Sequence, residues 1–174
     1  MSSTAVVSLV ALVVVLTIVA FHKRYRFRKG EEGWGGEALQ GKQLVFSEQL
    51  FRSKRTGIVA KIDRGYLAGG SIQLLEFKTR RRHAVYPADI IELSAQRVAV
   101  QDDDGRRVAD DGYVLTESRE DGSRQLHRVT LLPEDALLRL RDRRALILSG
   151  RVQPREATAP GLCRDCAYRV ECGK

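Results

Sequence analysis

The stretch TGIVAKIDRGYLAGGSIQLLEFKT, residues 56–79, decides the fold of this chain. Two runs of β-branched and apolar residues, 56–67 and 71–79, flank the dipeptide Gly69-Gly70. A short glycine-rich connection between two such runs is typical of a β-hairpin. The stretch therefore predicts two antiparallel strands that are joined by a tight turn.

The segments on either side predict further helices and strands. In chain order, the predicted elements are a helix at 44–54, the first hairpin at 56–79, a helix at 87–101, a second hairpin at 112–118 and 124–132, and a helix at 133–150. The Val and Phe content of the first segment also permits an extended structure. The two later helices both open with Pro, which suits the first helical turn. This order predicts an α/β fold with a mixed central sheet flanked by helices.

The N-terminus predicts a membrane anchor. Residues 4–21 are uncharged, almost wholly apolar and long enough to span a bilayer as one helix. Residues 22–29 hold five Lys or Arg, whereas no basic residue precedes the apolar run. This charge bias favours an uncleaved single-pass anchor in the inner (cytoplasmic) membrane, with the C-terminal domain in the cytoplasm, over a signal peptide. The predicted organisation is an anchor at 1–22, a basic flank and linker at 23–42, a core at 43–158 and a cysteine tail at 159–174.

The charge of the chain predicts an anionic partner. Every charged residue follows Phe21, so the formal net charge of +8 belongs to the part after the anchor. Nucleic acid and an anionic lipid surface are both compatible with such a charge. Arg80, Arg81 and Arg82 follow the second strand and are predicted to contact DNA phosphates, the alternative being a solvated loop.

Two acidic residues and a lysine of the first hairpin predict a metal-dependent hydrolytic site. Asp63 and Glu76 lie on the two strands and can converge at one end of the hairpin. Glu76 and Lys78 are two residues apart and share one face of their strand. Carboxylates, together with the carbonyl oxygen of Phe77, suit Mg or Mn, which can support phosphodiester hydrolysis. The alternative is an exposed pair of charges on an ordinary strand.

The three cysteines predict a second metal site of a different kind. Cys163, Cys166 and Cys172 form a C-x2-C-x5-C pattern near the C-terminus. Thiols stay reduced in the cytoplasm, and thiolates select Zn or an iron-sulfur cluster. His127 is one available non-cysteine ligand, whereas His83 is expected to approach DNA. We expect this site to be structural and to tether the tail to a small domain.

The residues of the hairpin and of the following helix resemble the PD-(D/E)XK nuclease superfamily. The matching residues are Asp63 in GIVAKID, Glu76 and Lys78 in LLEFK, and Gln96 in the following helix. The particular resemblance is to the RecB-like exonucleases associated with CRISPR adaptation and antiviral defence. It implies a restriction-endonuclease-like core in which the Asp, the Glu and the Phe77 carbonyl bind Mg or Mn. It further implies that Lys78 assists the water, that Gln96 lies beside DNA, and that Glu48 is an upstream ligand.

The cysteine tail resembles the same exonucleases, with two departures from their pattern. In that family such a cysteine trio, with a tyrosine at the position of Tyr168, closes the fold around a [4Fe-4S] cluster. Its upstream fourth cysteine has no counterpart here, so Zn or a non-cysteine ligand stays an alternative. The family's Gln-x-x-x-Tyr motif ends in Val100 here.

The sequence therefore predicts a membrane-anchored, metal-dependent DNA nuclease, in particular a single-stranded DNA exonuclease. One alternative is a DNA-binding or scaffold protein that keeps the nuclease fold without cleaving. Another is a zinc-stabilised membrane partner protein that uses its basic flank on anionic lipid. The joint presence of Asp63, Glu76 and Lys78 favours catalysis over both.

Overall fold

The computed structural model describes Trp34 and residues 36–154. Its strands are β1 (Gln43–Arg52), β2 (Val59–Ala68), β3 (Ser71–Arg80), β4 (Asp111–Ser118) and β5 (Arg124–Thr130). Its helices are α1 (Gly36–Leu39), α2 (Pro87–Asp104) and α3 (Glu134–Leu148). The chain divides into two compact units, one ending at Glu134 and the other beginning at Asp135. The sheet lies wholly in the first unit.

The predicted first hairpin is confirmed. Strands β2 and β3 pair antiparallel, and Ala68 opposite Ser71 is the last pair before the turn. Gly69 and Gly70 have φ values of +56° and +80°. Two successive residues with positive φ match the right-handed twist of the strands, and only glycine adopts them without steric cost. The turn chemistry therefore determines the register of the whole hairpin.

The five strands form one mixed sheet in the order β1-β2-β3-β4-β5. Neighbouring strands are antiparallel except β3 and β4, which run parallel and are connected through α2. The predicted second hairpin is confirmed as β4 and β5, with Gly122 at a φ of +69° in their turn. The predicted α/β class with a mixed sheet is thereby confirmed.

The predicted helix at 44–54 is wrong and the extended alternative is confirmed, because this segment forms strand β1. Phe46 and Phe51 are five residues apart, yet both are buried in one cluster, with ring centroids 4.8 Å apart. A regular strand would point them to opposite faces. Glu48 lies between them with a φ of +52°, and this left-handed residue interrupts the alternation. The interruption produced an apolar spacing that resembles that of a helix.

Helix α2 confirms the prediction at 87–101 and extends it to Asp104. Its Pro87 occupies the first turn, and Gly105, with a φ of +79°, caps its C-terminal end. Helix α2 packs on β1, β2 and β3 and covers one face of the sheet. Helix α3 likewise confirms the prediction at 133–150.

The hydrophobic residues form one cluster on each face of the sheet. The cluster under α2 includes Ile62, Ile72, Leu74, Leu93, Val100 and Val114, all with 0% exposure. The other face holds Leu39, Tyr66, Leu75, Tyr113 and Leu115, with Trp34 and Phe77 packed against them. Strand β3 is therefore buried on both faces, as expected for the central strand.

Gly65 on β2 tests the packing of the α2-side cluster. A Cβ at this position would lie 2.8 Å from Phe46 Cδ2 and 3.3 Å from Ile72 Cγ2. Because both neighbours are buried, we expect Gly65→Ala to reduce the free energy of unfolding by about 1–3 kcal/mol through overpacking. Urea unfolding followed by the fluorescence of Trp34, the single tryptophan, measures the loss. The exposed substitution Gln49→Ala is the control, and equal midpoints for both variants would contradict this prediction.

Candidate active site at a fork in the sheet

Strands β2 and β3 separate at one end of the hairpin. Their pairing ends at Arg64 opposite Leu75. Beyond this point β2 continues along β1 to Val59, while β3 continues along β4 to Arg80. Asp63 and Glu76 are the first residues past the last pair, so they lie at the opening between the strands. We call this opening the fork.

Asp63 replaces a backbone acceptor at the fork. Its Oδ2 accepts a hydrogen bond of 2.8 Å from the backbone N–H of Phe77. This N–H would otherwise lack a β2 carbonyl, because the two strands have separated here. Burial raises the pKa of Asp63 above its usual value, the Phe77 N–H partly offsets this, and the nearby charge of Glu48 adds to the rise.

Glu76 is a buried carboxylate with two side-chain donors. The residue is only 3% exposed. Glu76 Oε1 lies 2.5 Å from Lys78 Nζ, and Oε2 accepts a hydrogen bond of 2.7 Å from Gln96 Nε2. Burial raises the pKa of Glu76 to about 7, and the charges of Asp63 and Glu92 add to the effect of burial. Burial therefore favours the protonated form of Glu76 over the charged form.

Gln96 bridges the two arms of the fork from helix α2. Its Nε2 donates to the backbone carbonyl of Lys61 on β2 at 3.1 Å and to Glu76 on β3 at 2.7 Å. The residue is 1% exposed. Its Oε1 is buried and has no hydrogen-bond partner within residues 36–154 or from Trp34. A buried acceptor without a donor is costly, and Gln96 carries this cost while its amide nitrogen holds the two arms of the fork.

Lys78 lies between two carboxylates. Its Nζ contacts Glu76 Oε1 at 2.5 Å and Glu92 Oε2 at 2.8 Å. Burial opposes the charge of Lys78, but hydrogen bonds to Glu76 and Glu92 raise its pKa above the usual value. The ammonium therefore stays charged and keeps a fixed position beside the buried carboxylate.

Glu92 is a residue of the site that sequence reasoning missed. Its place near the start of α2 by itself indicates only an acidic residue that complements the helix dipole. Glu92 lies four residues before Gln96, so both side chains share one face of the helix. That spacing is the signal that could have identified it. Its side chain is 47% exposed and provides the outer contact of Lys78.

Glu48 lies next to the fork, but cations of the neighbouring strand hold its carboxylate. It stands in β1 opposite Asp63, between the pairs Ser47 with Arg64 and Gln49 with Ile62. Its oxygens lie 2.5 Å from Lys61 Nζ and 3.4 Å from Arg64 Nη1. The hydrogen bond from Lys61 lowers the pKa of Glu48. Among the described residues, no group of three or more His, Cys, Asp or Glu is placed to hold a metal ion.

The oxygen donors of the fork nevertheless fit a hard divalent cation. Mg²⁺ is commonly bound through one or two carboxylates, its other ligands being water and substrate phosphate. Asp63 and Glu76 supply two carboxylates, and burial raises the pKa of each. A cation beside them would favour their charged forms and offset that cost. The backbone oxygen of Phe77 would complete the set, and Glu48 would require release from Lys61 to join it.

The three consecutive arginines occupy different environments. Arg80 donates to Asp89 with both terminal nitrogens, at 2.8 and 2.5 Å, and to the carbonyl of Ala84. Its guanidinium is thus engaged within the fold, so Arg80 is a poor candidate for a phosphate contact. Arg81 is 83% exposed, and its Nε lies 3.4 Å from Glu120 Oε1. Arg82 is exposed.

Both histidines of the described region belong to one hydrogen-bonded chain around Thr116. The Thr116 hydroxyl lies 2.8 Å from His83 Nδ1 and 3.1 Å from His127 Nε2. His83 Nε2 also lies 3.0 Å from the hydroxyl of Ser123. Burial lowers the pKa of His127, and the charges of His83 and Arg80 lower it further. Ring nitrogens of both residues are therefore engaged within the fold, although the sequence predicted His127 as an available metal ligand and His83 as a residue close to DNA.

Several predicted features lie outside the described residues. They are the transmembrane run at 4–21, its basic flank at 22–29, and the cysteines Cys163, Cys166 and Cys172 with Tyr168. No helix in the part of the chain that the structure describes is long and apolar enough to cross a membrane. Val100, at the position of the motif tyrosine, is fully buried in the core.

Comparison with known proteins gives little further information. The sequence matches no protein-family model and no curated protein. Among solved structures, the chain is similar to the crystal structure of SSO0001, with a TM-score of 0.47 and 15% identity. The similarity covers 90% of this chain and 69% of that chain. A similarity at this level supports no inference about function.

Proposed function

We propose that this chain is a membrane-anchored nuclease that hydrolyses DNA, in particular single-stranded DNA from an end, with Mg or Mn. The observation that carries this proposal is the meeting of Asp63, Glu76 and Lys78 at the fork. Two carboxylates with raised pKa values share one desolvated opening, beside a charged ammonium. Perturbed carboxylates that converge in this way are typical of functional sites.

Each residue of the fork has a defined task in phosphodiester hydrolysis. Asp63 and Glu76, with the Phe77 carbonyl, would hold the metal, which when bound polarises the phosphate and lowers the pKa of a water. Lys78 adds a fixed positive charge where the phosphate would lie. Gln96 orients the Glu76 carboxylate from helix α2, because the Gln96 amide nitrogen donates a hydrogen bond to Glu76 Oε2.

We also propose that the chain has the nuclease fold of the PD-(D/E)XK superfamily, which its site residues resemble. A restriction-endonuclease-like core would place these carboxylates where a central hairpin opens, which agrees with the fork. The membrane anchor at 4–21 and an iron-sulfur cluster or zinc on Cys163, Cys166 and Cys172 are parts of the same proposal. An association with CRISPR adaptation or antiviral defence rests on the resemblance alone.

The test is cleavage of end-labelled single-stranded and duplex DNA by the full chain, purified in detergent without oxygen. We expect cleavage that requires Mn or Mg and stops with EDTA. Asp63→Asn and Lys78→Ala should each reduce the rate at least about 100-fold, because each removes charge from the reacting phosphate or its metal. Lys54→Ala, an exposed lysine away from the fork, is the matched control. Metal-dependent cleavage that survives in both fork variants would show that the fork is not the catalytic centre.

A DNA-binding protein that does not cleave is the second candidate. Val100 favours it, because this residue is buried in the core and so offers no side chain to a substrate in place of the motif tyrosine. The same assay separates the two functions. DNA binding without cleavage, in protein whose fold and metal content are verified, would support the non-catalytic protein.

A further inference from the structure

A basic groove lies beyond the fork, where β3 and β4 end. The two strands run parallel here, and the backbone N–H of Arg119 donates to the carbonyl of Arg80 at 2.9 Å. This bond brings the arginines after β3 next to those after β4. The groove has a volume of about 670 Å³. Its lining residues are Thr79, Arg80, Arg81, Arg82, Tyr86, Arg119 and Glu120.

Tyr86 presents an aromatic ring to this groove. The residue is 52% exposed. The guanidinium carbon of Arg80 lies 4.6 Å from the ring centroid, and Asp89 and Ala84 hold that guanidinium in place. A guanidinium held against an aromatic ring is attracted to the ring face and so limits the motion of the ring. Tyr86 therefore offers an exposed, pre-organised surface of the kind on which nucleic-acid bases stack.

The charges of the groove are available to an anion. Arg82 and Arg119 are exposed and make no side-chain hydrogen bond or ion pair with the described residues. Arg81 and Glu120 are 83% and 66% exposed and 3.4 Å apart, so their contact is weak and exchangeable. The groove can therefore accept a phosphate without breaking a buried contact.

The position of the groove suits a strand that leaves the fork. Arg80 follows Lys78 by two residues on β3, a distance of about 7 Å along the strand. Lys78 contacts Glu76 and Arg80 contacts the ring of Tyr86, so a polynucleotide with a phosphate at the fork would have its next nucleotides beside the groove. Arg80 takes no part in phosphate binding here, because its role is to support the ring of Tyr86.

We propose that this groove binds a nucleotide adjacent to the scissile phosphate of a single strand. The base stacks on Tyr86, and its phosphate lies between Arg82 and Arg119. This inference rests on the proposed nuclease function and adds the residues that would give it a preference for single strands. A base held in a duplex is already stacked on its neighbours and is not free to lie on a tyrosine ring.

Binding of a fluorescent oligothymidylate to the full chain, in detergent and EDTA, tests the groove. We expect Tyr86→Leu to weaken single-strand binding about ten-fold or more, as the loss of one stacked base predicts, and to leave duplex binding nearly unchanged. Tyr86→Phe keeps the ring and should bind like the wild type. The double variant Arg82→Gln with Arg119→Gln should weaken both ligands and reduce the salt dependence, whereas the exposed Arg107→Gln should not.

Two outcomes would contradict the proposal that this groove binds a nucleotide. One is wild-type affinity of Tyr86→Leu for the single strand, in protein with an unchanged unfolding midpoint. The other is loss of binding to short-chain phosphatidylserine in the arginine variant while oligonucleotide binding persists, which would make the groove a lipid-binding surface. Because EDTA prevents metal-dependent cleavage, the affinities do not depend on activity. If the protein binds single strands through Tyr86 but does not cleave them, the proposed nuclease function is contradicted. The proposed nucleotide-binding role of the groove is then still supported.

Discussion

Replacing Glu76 by glutamine is expected to reduce DNA cleavage about 10³-fold and, in metal-free buffer at pH 8, to stabilise the domain. The loss of activity follows because a neutral amide replaces a metal-binding carboxylate, and such electrostatic contributions amount to several kcal/mol. The gain in stability follows because Glu76 is buried and its pKa is raised to about 7. Glutamine has nearly the same shape as a protonated glutamate and carries no charge.

The pH dependence gives the sign and size of the stability change. The pKa of Glu76 is raised from its usual 4.5 to about 7, so the folded chain binds the proton more tightly than the unfolded chain. This contribution to stability is fully present below pH 4.5 and is lost as the pH rises through 7. The loss at pH 8 is about 3 kcal/mol, which is the most that the substitution can recover.

Urea unfolding of wild type and Glu76→Gln at pH 4.5 and pH 8, in EDTA, measures this difference. The two proteins should have similar stabilities at pH 4.5 and differ at pH 8. Mn at pH 8 should stabilise the wild type but not the variant, because a bound cation favours the charged carboxylate. A variant that is less stable than the wild type at both pH values would show that Glu76 is a structural ion-pair partner of Lys78.

The central hairpin could be predicted because its determinants are local. Gly69 and Gly70 specify the turn, and the turn determines the register of the strands on both sides. Glu76 and Lys78 then share a face by simple alternation. The contact between them at 2.5 Å needs no long-range information, and the sequence predicted their neighbourhood correctly.

The contacts across the fork could not be predicted, because they depend on where the strands stop pairing. The Phe77 N–H donates to the Asp63 side chain at the point where β2 and β3 no longer pair. The same region contains Glu48, whose left-handed φ interrupts the alternation of inward and outward side chains in β1. A strand interrupted in this way lacks the strict alternation by which strands are recognised, so its apolar spacing can resemble that of a helix.

The arginine run shows a second limit of sequence reasoning. Three consecutive arginines indicate a positive surface, but they do not indicate which of them the fold itself uses. Arg80 pairs with Asp89, which is nine residues later at the start of α2. The place of Asp89 in the first turn of α2 by itself indicates only an acidic residue that complements the helix dipole. The pairing depends on the route of the loop between β3 and α2, and no local pattern specifies that route.

Removing the Asp89 carboxylate is expected to be among the most destabilising single changes in this domain. Asp89 is 2% exposed, accepts two hydrogen bonds from Arg80 and also accepts the backbone N–H of Tyr86 at 2.8 Å. Burial opposes its charge, but the hydrogen bonds from Arg80 and Tyr86 lower its pKa below the usual value. Asp89→Ala would leave the Arg80 guanidinium, whose side chain is 19% exposed, without its partner.

We expect Asp89→Ala to cost about 3 kcal/mol in the free energy of unfolding, since breaking a buried pair leaves a charge uncompensated. The double variant Arg80→Met with Asp89→Ala should be more stable than the single variant, because it removes the stranded charge. Asp135→Ala, which breaks the exposed pair with Arg139, is the matched control and should barely move the unfolding midpoint. Additive losses in the double variant would mean that the Arg80 charge is solvated in the folded chain, and that Tyr86 lacks the fixed support on which the groove depends.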